Sequence, residues 1–204
     1  MTDTSNISNG SNAHNGHGFV DLGLPSGTLW ATCNVGATSP EQAGLYFAWG
    51  ETVGATAEQV ENGERSFGEL SYKSRPTASI STDLELEEDA AHVNLGGNWR
   101  MPTKDEWQEL IDNCNVVWTK NYNRTGVAGR VFTSKINGNS VFFPAAGYCR
   151  NSSVRLVGSY GYCWSASWYS SSSAWALSFH SGSQDLYYYG RYYGYSVRGV
   201  CKRG

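Results

Sequence analysis

The chain is short of most things that would announce a common function. Fifteen Lys and Arg against eighteen Asp and Glu leave a net charge of −3 over 204 residues. A general nucleic-acid binder needs clustered cations for its phosphate contacts, so that class is excluded. No apolar run approaches the roughly 18 residues of a membrane-spanning helix. The start, "MTDTSNISNGSNAHNGHG", has neither a basic end nor an apolar stretch, so it does not read as a secretory signal. Either the chain is not exported by the usual route or its export signal lies outside this sequence. Histidine is scarce: His14 and His17 fall in that polar start and read as idle, which leaves His92 and His180, too few for a metal set. His92 reads as a helix-surface or capping residue. No glutamate follows Glu109, and Asp112 and Asp185 are the only later carboxylates, so paired acid–base chemistry has few candidates. The five cysteines, Cys33, Cys114, Cys149, Cys163 and Cys201, cannot all pair internally, and no C-x-x-C unit suggests zinc. They read as buried or free thiols of a reducing compartment, with one or two disulfides compatible with the count. No metal, no cofactor and no catalytic residue are expected.

What is present falls into two parts after a flexible tail over residues 1–18, with one domain over 19–204. The first part carries helix signals. "GFVDLGLPSGTLWATCNVG" predicts two short strands around a turn at Pro25-Ser26-Gly27. Ser39, Pro40 and Gln42 have the N-cap, N1 and N3 spacing of a short helix ending near Gly44. Residues 51–80 read as a long polar surface loop. Leu84 to Val93 reads as helical, stopped by Gly96 and Gly97. In "MPTKDEWQELIDNC", Thr103 and Glu106 form a capping box, and Trp107, Leu110, Ile111 and Cys114 lie on one apolar helix face. From residue 115 onward the pattern is of strands. "GRVFTSKINGNSVFFPAAG" predicts a hairpin turning at Asn137-Gly138, which would supply the positive φ angles. In "AWALSFHSG", Trp175, Leu177 and Phe179 alternate with Ala176, Ser178 and His180. The expected class is α+β, with two main helices and short antiparallel strands.

The most informative stretch is "SGSQDLYYYGRYYGYSVRG", residues 181–199, with six tyrosines and no lysine, glutamate or proline. A core would use Leu, Ile and Val, and a disordered tail would use charge and proline. Tyr with Ser and Gly is instead the composition of an antibody paratope: large amphipathic area with two χ angles to freeze, among small adaptable neighbours. The predicted binding face is Tyr187, Tyr188, Tyr189, Tyr192, Tyr193 and Tyr195. It is extended by Tyr160, Tyr162, Tyr169, Ser170, Ser171, Ser172, Ser173, Ser178, His180, Ser181 and Ser183. Trp175, Leu177, Phe179 and Val197 are expected to anchor its back, so that Trp175→Ala would carry a core cost of roughly 3–5 kcal/mol. Tyr188→Ala with Tyr192→Ala should lose binding and leave stability nearly intact.

Several blocks carry a resemblance. "VDLGLPSGTLWATCNVGATSPEQAGLYFAWGET", "GGNWRMPTKDEW" and "FFPAAGY" resemble the Fibrobacter succinogenes major paralogous domain, widespread in gut Bacteroidetes. The second block is also similar to one in the formylglycine-generating enzyme family, which has a variant of the C-type lectin fold. The end of the chain is similar to the variable region of proteins diversified by diversity-generating retroelements. The matching units are Trp164-Ser165-Ala166, Ala174 to Phe179, Gly182, Arg191 to Gly194, and Ser196-Val197-Arg198. The resemblance implies a C-type lectin-like fold and a variable region at about 159–196. Randomised AAC codons can yield Tyr, Ser, His and Gly, but not Lys, Glu, Gln, Met or Trp; the outward positions between Ser159 and Ser196 fit this limit, with Trp164, Trp168, Trp175 and Gln184 as fixed scaffold. It further implies non-catalytic binding of a protein ligand on a host or target cell surface, with carbohydrate as the other ligand class. The setting would be a phage virion or a bacterial cell surface. Two rival readings fare worse. The oxidase relatives use a C-x-x-x-x-C pair, whereas residues 150–162 separate Cys149 from Cys163. A fixed calcium-dependent lectin would need Glu-Pro-Asn or Gln-Pro-Asp and Trp-Asn-Asp triplets, which this sequence lacks.

Overall fold

Gly27 adopts φ 69° and donates its N–H to the Leu24 carbonyl at 2.8 Å, so the first expected turn forms. The computed structural model of the protein describes residues 13–68 and 83–202. β1 (Ala13–His14), β2 (His17–Asp21) and β3 (Thr28–Asn34) pair in succession. Described structure thus begins inside the expected tail. His14, expected to be idle, packs edge-on against Trp99 at 5.8 Å and accepts the Asn98 N–H at 3.1 Å.

β4 (Tyr46–Phe47) follows a segment that is not the expected helix. The Ser39 hydroxyl donates to Glu41 at 2.7 Å instead of capping backbone amides, and Gly44 takes φ 74°. A side chain on Gly44 would meet the Val35 carbonyl at 2.4 Å, so the close approach of two chain segments overrides the capping pattern. α1 (Ala57–Glu61) lies in the stretch expected to be a loop, behind a Thr56–Gln59 capping box that was legible in "TAEQ". Residues 69–80 of that loop lie outside the described residues. The second expected helix shortens to a 3₁₀ turn at Leu86–Glu88 and α2 (Ala90–Leu95), capped by Asp89 and ended at Gly96. α3 (Lys104–Asn113) forms as predicted, with both halves of its capping box. Glu106 also takes two hydrogen bonds from Arg100, at 2.7 and 2.6 Å, and one from Thr28 at 3.0 Å, tying the helix start to β3.

Apart from a 3₁₀ turn at Tyr122–Arg124, the remaining elements are strands: β5 (Cys114–Thr119), β6 (Gly129–Ser134), β7 (Ser140–Pro144), β8 (Tyr148–Arg150), β9 (Ser153–Arg155), β10 (Tyr160–Ser170), β11 (Ser173–His180), β12 (Gln184–Gly190), β13 (Tyr195–Ser196) and β14 (Arg198–Lys202). The predicted β6–β7 hairpin forms, with Gly138 alone supplying the positive φ of its turn. The strands make a four-stranded sheet β1-β2-β3-β14, a five-stranded sheet β12-β11-β10-β13-β4, a three-stranded sheet β5-β6-β7 and the pair β8-β9. Pairing is antiparallel except for β10 with β13.

With 44% of the described residues in strand against 15% in helix, the fold is β-rich. The α+β class, and the C-type lectin-like arrangement of two main helices, are therefore corrected. One helix of ten residues stands where two were expected, because only the Thr103 segment combines a cap with an apolar face long enough to bury.

The central hairpin β10–β11 is covered on both sides. Cys163, Leu177 and Phe179 meet Trp107 and Leu110 of α3, while Trp164, Ala174 and Ala176 meet Phe47, Trp49 and Tyr195. Four of the five thiols are buried and none is in a disulfide; Cys33 is partly exposed. Burial pushes Cys149 and Cys163 up to about 12 and Cys114 to about 11. The unfolded chain releases these protons near the ordinary value of 9. Above that pH the unfolded state binds fewer protons than the native one, so stability is fully present below it and falls as pH rises. The urea midpoint should accordingly drop between about pH 8 and about pH 10.5. At the lower pH a thiol reagent should titrate Cys33 alone until denaturant is added. A flat midpoint, or rapid labelling of all five, would show these thiols open to water.

Candidate functional site

Consecutive side chains of a strand point to opposite faces, so three adjacent tyrosines cannot share one side. The register of β12 on β11 sets Tyr187 opposite Ala176 and Tyr189 opposite Ala174, while Tyr188 faces Trp175. On β10, Tyr160 lies opposite His180 and Tyr162 opposite Ser178. One face of the sheet thus gathers Tyr160, Tyr162, Ser178, His180, Tyr187 and Tyr189. Tyr192 and Tyr193 join it from the turn after β12.

Its rings form a connected array. Tyr162 meets Tyr189 edge-on at 5.6 Å, Tyr160 meets His180 at 4.9 Å, Tyr187 meets Tyr189 at 5.8 Å and Tyr192 meets Tyr193 at 4.6 Å. The floor is Tyr195, only 2% exposed, lying on Trp164 at 4.4 Å and under Tyr162 at 4.8 Å. Tyr195 is therefore corrected from contact residue to support: β13 is an inner strand of the sheet, between β10 and β4. Burial among neighbouring phenols pushes Tyr162 up to about 12. The phenols of the array offer hydroxyl donors over aromatic faces.

The remaining predicted residues lie elsewhere. Tyr169 and Tyr188 stack at 3.8 Å on the other face of the sheet, with Trp175 edge-on to Tyr169 at 5.4 Å. Trp175 is half-buried, not core, and the Lys104 ammonium sits 4.3 Å from its ring centre. It lies where α3 begins, past the cover that the helix gives Leu177 and Phe179. Tyr187 and Tyr188 stack at 4.4 Å around the β12 edge and join the two aromatic groups.

The serines divide as well. Ser170, Ser171, Ser172 and Ser173 form the β10–β11 turn, and Ser181 and Ser183 the β11–β12 turn. The length of β11 separates these turns by about 25 Å. Arg191 holds the first: its Nη1 donates to Ser171 O at 3.1 Å, its N–H to Ser172 O at 3.0 Å, and its guanidinium lies 4.9 Å from the Trp49 ring. His180 shapes the second, accepting the Gly182 N–H at 3.1 Å and lying 3.2 Å from the Ser183 hydroxyl.

Two contributors escaped the sequence reading. Tyr148 of β8 packs edge-on against Tyr162 and Tyr193, at 5.5 and 5.6 Å, and Arg150 lies over Tyr193 at 5.6 Å. They reach the array because Cys149 pairs with Gly194, a contact between distant segments that no local pattern encodes. Beside Tyr160 and His180 a cleft of about 640 Å³ continues over Val127, Ala128, Val157 and Trp118, giving the face an apolar flank. Among the described residues no three His, Cys, Asp or Glu side chains gather as a metal set. Nor is any helix of the described residues long and apolar enough to cross a membrane.

Residues 117–200, from β5 to β14, match a family described as a domain of unknown function (DUF8237). The matched stretch is under half of the chain and contains the whole tyrosine array. No curated protein and no solved structure shows a significant match.

Proposed function

We propose that the protein is a non-catalytic binder whose contact surface is the tyrosine face of β10, β11 and β12. The connected, half-exposed ring array over the rigid floor of Trp164 and Tyr195 carries this reading. Aromatic anchors held by a packed scaffold lose little side-chain entropy on binding, and serine turns at both ends leave room for a partner to settle. A broad face of this kind favours a protein on a target cell surface over a small sugar, although tyrosines also stack on sugar rings.

The sequence resemblance adds that the face is diversified by a retroelement, with the setting a phage virion or bacterial surface. The division of residues supports it: Trp164, Arg191 and Arg198 are buried supports, whereas the Tyr, Ser and His positions mostly reach the surface. The oxidase reading is disfavoured by buried thiols pushed to about 12, the opposite of a reactive thiolate.

Labelled protein should bind selectively within a panel of bacterial cells or arrayed glycans. Tyr160→Ala with Tyr193→Ala should weaken that binding by roughly 30-fold or more per site, at about 2 kcal/mol each. The melting temperature should stay within a few degrees. Undiminished binding by the double variant would remove this face from the contact. Diversification is tested in the neighbouring DNA: a near-copy of the 3′ coding region with AAC at the Tyr, Ser and His codons, beside a reverse transcriptase, is the expected finding.

A further inference from the structure

β12 is the outermost strand of the five-stranded sheet, and among the described residues no strand pairs with its outer side. Two hydrogen bonds fix which peptide groups face outward. His180 N–H donates to Ser183 O, and Arg191 N–H donates to Ser172 O, both at 3.0 Å. Bonded and non-bonded pairs alternate along an antiparallel ladder. Counting from either end gives the same answer: Ser178–Asp185, Ala176–Tyr187 and Ala174–Tyr189 are bonded pairs. The peptide groups of Gln184, Leu186 and Tyr188 therefore point away from β11, and the Tyr187 and Tyr188 rings that stack around this edge must swing back to their own faces when a strand pairs there.

Proteins usually blunt such an edge with proline, lysine, a bulge or brevity. β12 has none of these. It is seven residues long, its register on β11 is unbroken, and Asp185 is its single charge. The opposite edge of the sheet is treated differently: β4 has two residues, and Tyr46 exchanges both backbone bonds with Ala55, at 2.9 and 3.0 Å.

We infer that β12 is a self-association edge, and that its occupant is the β12 of a second copy, antiparallel about a two-fold axis at Tyr187. That axis is the one that overlaps all seven residues. It also obeys the outward parity: Leu186 and Tyr188 of the two copies become bonded pairs. On the exposed face Tyr187 meets its own counterpart, and Asp185 meets the Tyr189 phenol. On the other face Leu186 packs beside Tyr188. No like charges are opposed, and aromatic and aliphatic cross-strand pairs are favourable. The two sheets become one, with both tyrosine faces on the same side, so a surface ligand would be met twice. This inference rests on the strand geometry and stands whether or not the tyrosine face binds a ligand.

Sedimentation of the intact protein from low to several hundred micromolar should show a monomer–dimer equilibrium. Tyr187 is 51% exposed, so Tyr187→Lys should fold normally, as a circular-dichroism melt would show. It should be monomeric throughout that range, because it sets two cations face to face across the axis. Tyr187→Glu should behave the same way. An equimolar mixture of the two variants should recover dimer, since only a register placing residue 187 opposite itself brings those opposite charges together. A wild type that stays monomeric, a Tyr187→Lys variant that still dimerises, or a mixture that stays monomeric would each overturn the inference.

Discussion

Replacing Arg198 with leucine should cost about 4 kcal/mol of stability, because it leaves several buried acceptors without donors. The residue is 0% exposed. Its Nε donates to Asn34 Oδ1 at 2.9 Å, Nη1 to Ala31 O at 2.8 Å and Thr32 O at 2.9 Å, and Nη2 to Phe142 O at 2.9 Å. The guanidinium also lies 4.5 Å from the Phe143 ring. It thereby joins β14 to β3 and to β7. Burial lowers its pKa to about 10, so it still carries charge at neutral pH. Leucine restores apolar volume but no donors, and unsatisfied acceptors cost roughly 1–3 kcal/mol each, not additively. For a domain of this size the melting temperature should fall by about 10–15 °C. Arg198→Lys keeps the charge without the planar fork and should lose somewhat less. A loss under about 1 kcal/mol for the leucine variant would mean that the hydrogen bonds only offset the cost of burying the guanidinium.

Two tryptophans close in sequence should lose very different amounts of stability on truncation. Trp164 is 0% exposed, donates its indole N–H to Phe47 O at 2.8 Å and supports Tyr195. Trp164→Ala should cost roughly 3–5 kcal/mol by opening a cavity in the core. It should also weaken binding through the tyrosine face, since the floor of the array goes with it. Trp175, expected from its alternation with Leu177 and Phe179 to be a core anchor, lies at the sheet surface under Lys104. Trp175→Ala should cost only about 1 kcal/mol, the scale of an exposed cation–π contact and one aromatic pair. Denaturant unfolding of both variants under one condition decides the matter. Equal losses would place the Trp175 ring in the interior.

The sequence by itself determined the features whose causes are local. Thr103 and Glu106 cap α3 because the two groups are one helical turn apart. Gly27 and Gly138 place their turns because a positive φ is inexpensive only without a side chain. The tyrosine-rich composition likewise marked the segment from residue 160 onward as unlike a core. The same local logic failed at Ser39, where the approach of Gly44 to Val35 outweighed a valid cap pattern. It also miscounted helices, since a cap without a buried face does not sustain one.

Only the tertiary structure decided which rings form a surface together. The period of a strand divides Tyr187 and Tyr189 from Tyr188, but which side meets Trp164 and which meets Lys104 depends on the register of β10, β11 and β12. Burial of Tyr195 follows from its place between β10 and β4, and the arrival of Tyr148 follows from the Cys149–Gly194 contact. Side-chain direction is set by pairing between residues distant in the chain, and composition carries no record of that pairing.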